Sequence, residues 1–336
     1  MPTLEKIAEL SGVSRSTVSR VINNDPHVSK QTRQQVMAIV KELNYQPNAV
    51  ARSLAAGHTR ILGLVIPAGV TALFSDPYFP ILIQGVTAAC TARDHSVMLW
   101  LAEPEYERRT IRQVLHNGMV DGVIVSSMLI DDPIVKSLKE ASLPFVLIGR
   151  HPTAPEVNYV DVDNQAGAQA IVTHLLRLGR QRIATITGPQ NAVVGLDRKT
   201  GYVEALHSRG IAVTPELIAE GDFTEDGGAL AMQHLLPHHP DAVFAASDAM
   251  ATGALRTLRE AGLRVPEDVA LVGFDDVPFA SRMAPALTTM RQPIRQMGAV
   301  AVETLLELIA HPEAGPQHVV LPTQLVIRKS CGAVTG

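Results

Sequence analysis

Seven short apolar runs, separated by stretches with helical spacing, constrain the fold of this chain more than any other feature. Alternation of buried strands with helices predicts an α/β fold, with parallel sheets covered by helices on both faces. The runs are too numerous for one small sheet, so 336 residues with 46% apolar content predict two doubly wound lobes. The runs read ILGLVIP, SVMLWLA, DGVIVSS, PFVLIGR, RIATITG, AVFAASD and VALVGFDD.

Charge is distributed unevenly along the chain. The net charge at pH 7 is -4, but residues 1–60 hold eight basic against four acidic residues, which leaves -8 for the remainder. A small basic segment attached to a large acidic body is typical of nucleic-acid-binding proteins. The absence of an 18-residue apolar run and of a basic apolar leader predicts no membrane span. Two distant cysteines, Cys90 and Cys331, favour a cytoplasmic location over a disulfide framework.

The stretch TLEKIAELSGVSRSTVSRVIN, residues 3–23, predicts two short helices around a tight turn. Thr3 and Ser14 are suitable N-caps, and Gly12 supplies the turn. At about 100° per residue, the second helix has one apolar arc that can pack on the first helix and one polar arc that faces outward. The apolar arc holds Val18, Val21 and Ile22, and the polar arc holds Arg15, Ser16, Ser19 and Arg20.

A third helix is predicted after Ser29, because apolar residues recur at Val36, Ile39, Val40 and Leu43. Three such helices predict an all-α helix-turn-helix domain whose second helix enters the major groove of DNA. Arginine can bond O6 and N7 of guanine together, and serine can bond base edges or phosphates. An ordinary helical hairpin with a solvated polar face is the alternative interpretation.

These motifs, together with VSKQTRQQVMAIVKELNYQPNAVARSLAAG, resemble the LacI/GalR family of transcription regulators. The likeness extends along essentially the whole chain. It implies that Arg15, Ser16 and Arg20 read bases. It also implies that eight other residues contact the phosphate backbone or lie near it, and such contacts set the register of the protein on the duplex. These residues are Thr3, Ser14, Thr17, Ser19, Asn23, His27, Ser29 and Thr32.

Residues 48–57, NAVARSLAAG, correspond in that family to a hinge helix. A helix of two turns is only marginally stable alone. The resemblance implies that it pairs with its twin from a second subunit in the minor groove of a pseudo-palindromic operator, so we expect a homodimer. Leu54 matches the apolar wedge that kinks the duplex, and Asn48 and Ala51 match positions close to the DNA. A core role for Leu54 is the alternative.

The part of the chain after the hinge resembles the family's two-lobed, periplasmic-binding-protein-like effector domain. We expect a helix-turn-helix domain at 1–47, a hinge helix and linker at 48–60, and an effector-binding and dimerisation domain at 61–336. Lobe one is expected at about 61–161 and 292–320, and lobe two at about 163–290 and 321–332.

Polar residues follow the predicted strands where each strand ends, and ligands of open α/β sheets bind beyond the carboxyl ends of the strands. Carboxylates and arginine bind paired sugar hydroxyls, while an aromatic ring covers the C–H side. A helix N-cap is the alternative for each carboxylate taken singly. The candidate polar contacts are Ser126, Arg150, Asp163, Arg198, Asp248 and Asp275, and the aromatic ones are Tyr78, Phe79 and Phe223.

We therefore expect an allosteric, sugar-responsive repressor of carbohydrate uptake or catabolism genes, without a cofactor or a metal. The stretches FVLIGR and GLDR look like regulators of α-glucoside uptake. An enzyme is disfavoured because the sequence lacks phosphate-loop, dinucleotide, nucleophile-elbow and H-E-x-x-H motifs, and HLLPHHP reads as a solvated loop. The alternatives are a regulator that responds to a nucleoside or another metabolite, and a sugar-binding transport protein.

Overall fold

The computed structural model describes residues 2–22, 24–45, 58–66, 73, 76–101, 118–126, 129–130 and 132–333. The chain divides into two compact units, Met1–Thr59 and Arg60–Gly336. Asn23 and the predicted hinge residues Asn48, Ala51 and Leu54 lie outside the described residues. Across the described ranges, no helix is both long and apolar enough to cross a membrane.

The described residues of the first unit form three helices, α1 (Leu4–Ser11), α2 (Arg15–Ile22) and α3 (Lys30–Glu42). Each begins at a hydroxyl cap, because side chains of Thr3, Ser14 and Ser29 accept a hydrogen bond from the backbone N–H three residues later. The α1–α2 turn passes through Gly12, whose φ of 64° favours glycine. One side chain of α1, two of α2 and one of α3 form the buried core, namely Ile7, Val18, Val21 and Val36. The predicted helix-turn-helix fold is confirmed.

The second unit contains two six-stranded sheets, which define two lobes. The strands of lobe one are β1 (Ile61–Ile66), β2 (Ser96–Leu101), β3 (Gly122–Val125), β4 (Phe145–Ile148), β5 (Tyr159–Val162) and β11 (His318–Leu321). They form a wholly parallel sheet in the order β11-β5-β4-β3-β1-β2. Helices α4 (Tyr78–Thr91), α5 (Pro133–Ala141) and α10 (Ile294–Ala310) belong to this lobe.

The strands of lobe two are β6 (Ile183–Thr187), β7 (Ile218–Glu220), β8 (Ala242–Ala245), β9 (Ala270–Asp275), β10 (Thr288–Arg291) and β12 (Gln324–Val326). Their order in the sheet is β12-β10-β9-β8-β6-β7, and the β10–β12 pair is antiparallel while the other pairs are parallel. The helices of this lobe are α6 (Asn164–Arg177), α7 (Val193–His207), α8 (Glu225–Leu235) and α9 (Asp248–Glu260). The predicted α/β fold with doubly wound parallel sheets is confirmed.

The chain passes between the lobes three times, after β5, after β10 and after β11. Each sheet carries one apolar cluster on either face, so both lobes have cores of their own. Val277, which follows β9 of lobe two, packs into the core of lobe one beside Ile294 and Met297. The carboxyl ends of strands from both sheets therefore face a shared cleft.

Candidate functional site

A cleft that opens to solvent lies between the two lobes. Its walls come from the ends of β3, β4, β5, β8, β9 and β10 and from the N-terminal turns of α4, α6 and α7. The lining residues are Asp76, Tyr78, Phe79, Ser126, Ile148, Gly149, Asp161, Asn164, Val194, Arg198, Phe223, Ser247, Asp275, Gln292 and Met297.

Arg198 is the cationic group of the cleft lining, and it is 4% exposed. Its Nε donates to Asn164 Oδ1 at 3.0 Å, and its Nη1 donates to the carbonyl oxygen of Ala246 at 2.5 Å. The guanidinium carbon lies 3.8 Å from the centre of the Phe274 ring, which supports the flat face of the cation. The guanidinium is therefore fixed in orientation before any ligand binds.

Asp275 ends β9 and faces Arg198 across 3.4 Å between Oδ1 and Nη1. The same oxygen accepts a hydrogen bond from Gln292 Nε2 at 2.6 Å. Burial raises the pKa of Asp275 to about 7, although Arg198 acts in the opposite direction. Its backbone φ of 122° is rare for a residue with a side chain, and such conformations cluster at ligand sites.

The sequence-based prediction missed two further carboxylates that line the cleft, Asp76 and Asp161. Asp161 is 5% exposed; its Oδ1 accepts from Asn164 Nδ2 at 3.1 Å, and its Oδ2 accepts from the Arg150 backbone N–H at 3.0 Å. Burial is the main cause that raises the pKa of both carboxyls. A signal for Asp161 existed, because it interrupts the apolar strand YVDV.

Aromatic side chains enter the cleft from both lobes. Tyr78 and Phe79 begin α4 and meet edge to face, with 5.5 Å between ring centroids. Phe223 has a φ of 67° and lies against Gly188, where an added Cβ would come within 2.2 Å of the ring. Gly188 thus leaves the space that Phe223 occupies. Together with the polar groups, these rings give the cleft both apolar and hydrogen-bonding faces.

Three of the residues predicted as effector contacts do not line the cleft. Asp163 is exposed and caps α6 by accepting from the Ala166 backbone N–H at 2.9 Å, which is the alternative role for a carboxylate at a strand end. Asp248 is fully buried beneath the cleft, and Arg150 pairs with Asp197. The cleft is lined by the other six predicted contacts, Tyr78, Phe79, Ser126, Arg198, Phe223 and Asp275.

Asp248 holds the structure around the cleft. Its two carboxylate oxygens accept from Thr289 Oγ1 at 2.6 Å and from the Val277 backbone N–H at 3.0 Å. Burial and the neighbouring Asp275 raise its pKa well above the ordinary value. Since Val277 packs into lobe one, Asp248 links the strand ends of lobe two to the opposite lobe.

The outward face of α2 carries the predicted base-reading side chains. Arg15 and Arg20 are 69% and 65% exposed, and Ser16 is exposed beside them. Arg15 Nε lies 3.0 Å from Glu5 Oε1, and Arg20 Nε lies 4.0 Å from Asp25 Oδ2. Exposed ion pairs of this kind are weak, so both guanidinium groups are available to a ligand.

The hydroxyls around α2 and α3 are already ordered by short contacts. Ser14 Oγ lies 2.7 Å from Ser16 Oγ and 2.9 Å from Thr17 Oγ1, and Ser29 Oγ lies 2.8 Å from Thr32 Oγ1. Thr3, Ser14, His27 and Ser29 are exposed, and Thr17, Ser19 and Thr32 are half-buried. Every predicted phosphate contact among the described residues is thus accessible at least in part.

Comparisons with known proteins agree with both units. Residues 3–48 match the family described as bacterial regulatory proteins, lacI family, and residues 172–331 match the periplasmic binding protein-like domain. The HTH-type transcriptional regulator CelR of Thermobifida fusca is 42% identical over 333 residues, which cover 98% of each chain. The resemblance identified in the sequence is confirmed.

Solved structures that match nearly the whole chain have the same fold. A complex of the transcriptional regulator CelR with cellobiose matches with a TM-score of 0.79 at 40% identity, over 98% of this chain and 100% of that one. The lac repressor dimer bound to operator and the anti-inducer ONPF matches with a TM-score of 0.87 at 30% identity, over 99% of each chain. The chain therefore belongs to the lacI family of bacterial regulatory proteins.

Proposed function

We propose that this protein is a repressor of carbohydrate uptake or catabolism genes whose operator affinity is controlled by a small sugar in the cleft. The observation that carries the proposal is the convergence of Arg198, Asp275 and Asn164 with the rings of Tyr78 and Phe223 at the facing strand ends. Such a set offers donors and acceptors for hydroxyls and an apolar face for the sugar ring. We infer that the protein binds this effector without converting it.

We propose a neutral glucose disaccharide as the effector, with cellobiose as the first probe. CelR, the relative crystallised with cellobiose, is similar along the whole chain. The described lining residues agree with a neutral ligand, because three carboxyls with raised pKa values, Asp76, Asp161 and Asp275, face a single guanidinium and leave no surplus positive charge for an anion. A phosphate ester would bring further negative charge into this buried acidic site and would be disfavoured.

We propose that the protein acts in the cytoplasm as a homodimer on a pseudo-palindromic operator; the matching lac repressor structure is a dimer bound to operator. Arg15, Ser16 and Arg20 on α2 would read base edges in each half-site. Leu54, with Asn48 and Ala51, would contact the central minor groove. Domain limits of 1–47, 48–60 and 61–336 fit this division of roles.

The proposed coupling between the two sites follows from differential affinity. A sugar in the cleft stabilises one arrangement of the lobes, and DNA stabilises one arrangement of the paired hinge segments. If these arrangements differ, the two ligands oppose each other, because each binds its preferred state more tightly. We propose that the sugar acts as an inducer.

A thermal-shift screen of the full chain tests the effector proposal. We expect cellobiose to raise the unfolding midpoint by mass action, since a ligand at 100 times its Kd stabilises by about 2.7 kcal/mol. Maltose, trehalose, sugar phosphates and nucleosides complete the panel. Arg198→Ala should abolish the shift, whereas Arg256→Ala, on the outside of lobe two, should preserve it. A shift with nucleosides and with no sugar would contradict the proposal.

In vitro selection from random duplexes tests the DNA proposal. We expect the full chain to enrich a pseudo-palindrome with a flexible central step, since a minor-groove wedge favours sequences that kink at low cost. Arg15→Ala should change the selected half-site, and Lys139→Ala, in lobe one, should not. Enrichment of no common sequence would refute sequence-specific binding.

A further inference from the structure

An ion pair joins the two lobes at the rim of the cleft. Arg150 follows β4 of lobe one, and Asp197 lies in α7 of lobe two. Arg150 Nε donates to Asp197 Oδ2 at 3.0 Å, and Arg150 Nη2 donates to Asp197 Oδ1. This two-point geometry fixes the orientation of the two side chains as well as their separation.

Both partners of the pair are connected to residues of the cleft lining. The backbone N–H of Arg150 donates to the buried carboxylate of Asp161, which also accepts from Asn164. Asp197 directly precedes Arg198, so one turn of α7 carries both the acid of the ion pair and the guanidinium of the cleft. The ion pair therefore connects lobe one to the helix that presents Arg198.

A second contact crosses between the lobes at the start of the same helix. The backbone N–H of Ile130, after β3 of lobe one, donates to the carbonyl oxygen of Asn191 at 2.9 Å. Leu129 and Ala192 form an antiparallel bridge at this point. Because α7 begins at Val193, its N-terminal end is attached to lobe one by backbone as well as by the Arg150–Asp197 pair.

We propose that the Arg150–Asp197 pair stabilises the arrangement of the two lobes seen in this structure, which we call closed, and so raises the affinity of the cleft for its effector. We call this ion pair the latch. Arg150 acts as a positioning residue and does not contact the ligand. The apparent affinity of a ligand falls with the fraction of protein in the competent state, so a weaker latch means weaker binding. The effect on affinity rests on the proposed function, whereas the effect on closure does not.

Amide hydrogen exchange in the ligand-free full chain tests closure directly. We expect Arg150→Ala and Asp197→Ala each to speed exchange at the Ile130 amide by about two- to fivefold, the range for a partly exposed ion pair. The exchanged pair, Arg150→Asp with Asp197→Arg, should restore part of the protection. Arg256→Ala is the control, because Arg256 is about as exposed as Arg150 and pairs with Glu225 and Asp226 within lobe two.

Cellobiose titration of the same variants tests the effect on binding. We expect Kd to rise in Arg150→Ala as the closed fraction falls, by no more than the factor by which exchange speeds up, and to recover in the exchanged pair. Unchanged exchange in both single variants would overturn the latch. Loss of cellobiose binding with normal Ile130 protection would overturn it too, because Arg150 would then contact the ligand. If the wild-type chain fails to bind cellobiose while exchange responds as expected, the latch stands and the proposed effector fails.

Discussion

Asp275 is the residue through which pH should control effector binding. Burial raises its pKa to about 7, so its carboxyl is protonated in much of the effector-free protein just below neutrality. Sugar hydroxyls donate to a carboxylate, and they should therefore bind the ionised form preferentially.

We predict that the affinity for cellobiose falls as the pH decreases from 8 to 6, and that Asp275→Asn flattens this dependence. Isothermal titration across the range measures it. Asp268→Asn is the control, because Arg264 holds the pKa of Asp268 at about 2 on the surface. The stability of the effector-free protein depends on pH in the opposite direction. Between pH 3.8 and about 7 the folded state keeps a proton on Asp275 that the unfolded state has already lost, so the contribution of Asp275 to the free energy of unfolding decreases as the pH rises through that window. Cellobiose affinity independent of pH in the wild type would contradict the assignment.

Asp248 should matter for stability and for the shape of the cleft, not for direct contact. We predict that Asp248→Ala lowers the free energy of unfolding by about 1–3 kcal/mol, because it leaves the Val277 N–H and the Thr289 hydroxyl without their buried acceptor. Asp248→Asn keeps an acceptor and a donor there and should cost less. Urea unfolding measures both values. Equal losses for the two variants would show that the hydrogen bonds are not the cause.

Helix α2 is the element that should determine which operator is recognised. Val18 and Val21 pack it into the core of the first unit, while Arg20 is exposed on the outward face and its Nε lies 4.0 Å from Asp25 Oδ2. We predict that Arg20→Ala costs about 1–3 kcal/mol at one base-pair position of the selected operator and relaxes the preference there. Competition binding with single-base operator variants measures it. A uniform loss on all variants would make Arg20 a phosphate contact.

The segment 48–57 is the element whose role rests on family resemblance, since it lies outside the described residues. We predict that Leu54→Ala weakens operator binding and removes most of the DNA bend, because alanine is too small to separate stacked base pairs. Leu54→Met keeps the apolar volume and should retain the bend. Circular-permutation electrophoresis reports the bend angle. An unchanged angle in Leu54→Ala would exclude the wedge.

At the scale of the whole molecule, the cleft and the operator site should be coupled reciprocally. Typical coupling free energies are about 1–3 kcal/mol, so we predict that cellobiose weakens operator binding by roughly 5- to 150-fold. By linkage, saturating operator must weaken cellobiose binding by the same factor. Two titrations, each with and without the other ligand at fixed salt, measure both factors. Tighter operator binding with cellobiose would make the sugar a corepressor.

Sequence alone determined the features that local rules control. Apolar runs placed seven of the twelve described strands, hydroxyl caps at Thr3 and Ser14 and the apolar spacing after Ser29 placed the three N-terminal helices, and strand ends pointed to Arg198 and Asp275. Only the tertiary structure decided which of the charged strand-end residues meet in the cleft. Asp163 caps a helix, whereas Asp161, two residues earlier, lines the cleft, and Arg150 pairs with Asp197 on the opposite lobe. The physical reason is that helices and strands follow from neighbours in sequence, whereas the partner of a buried or bridging charge depends on how two separately folded lobes pack together.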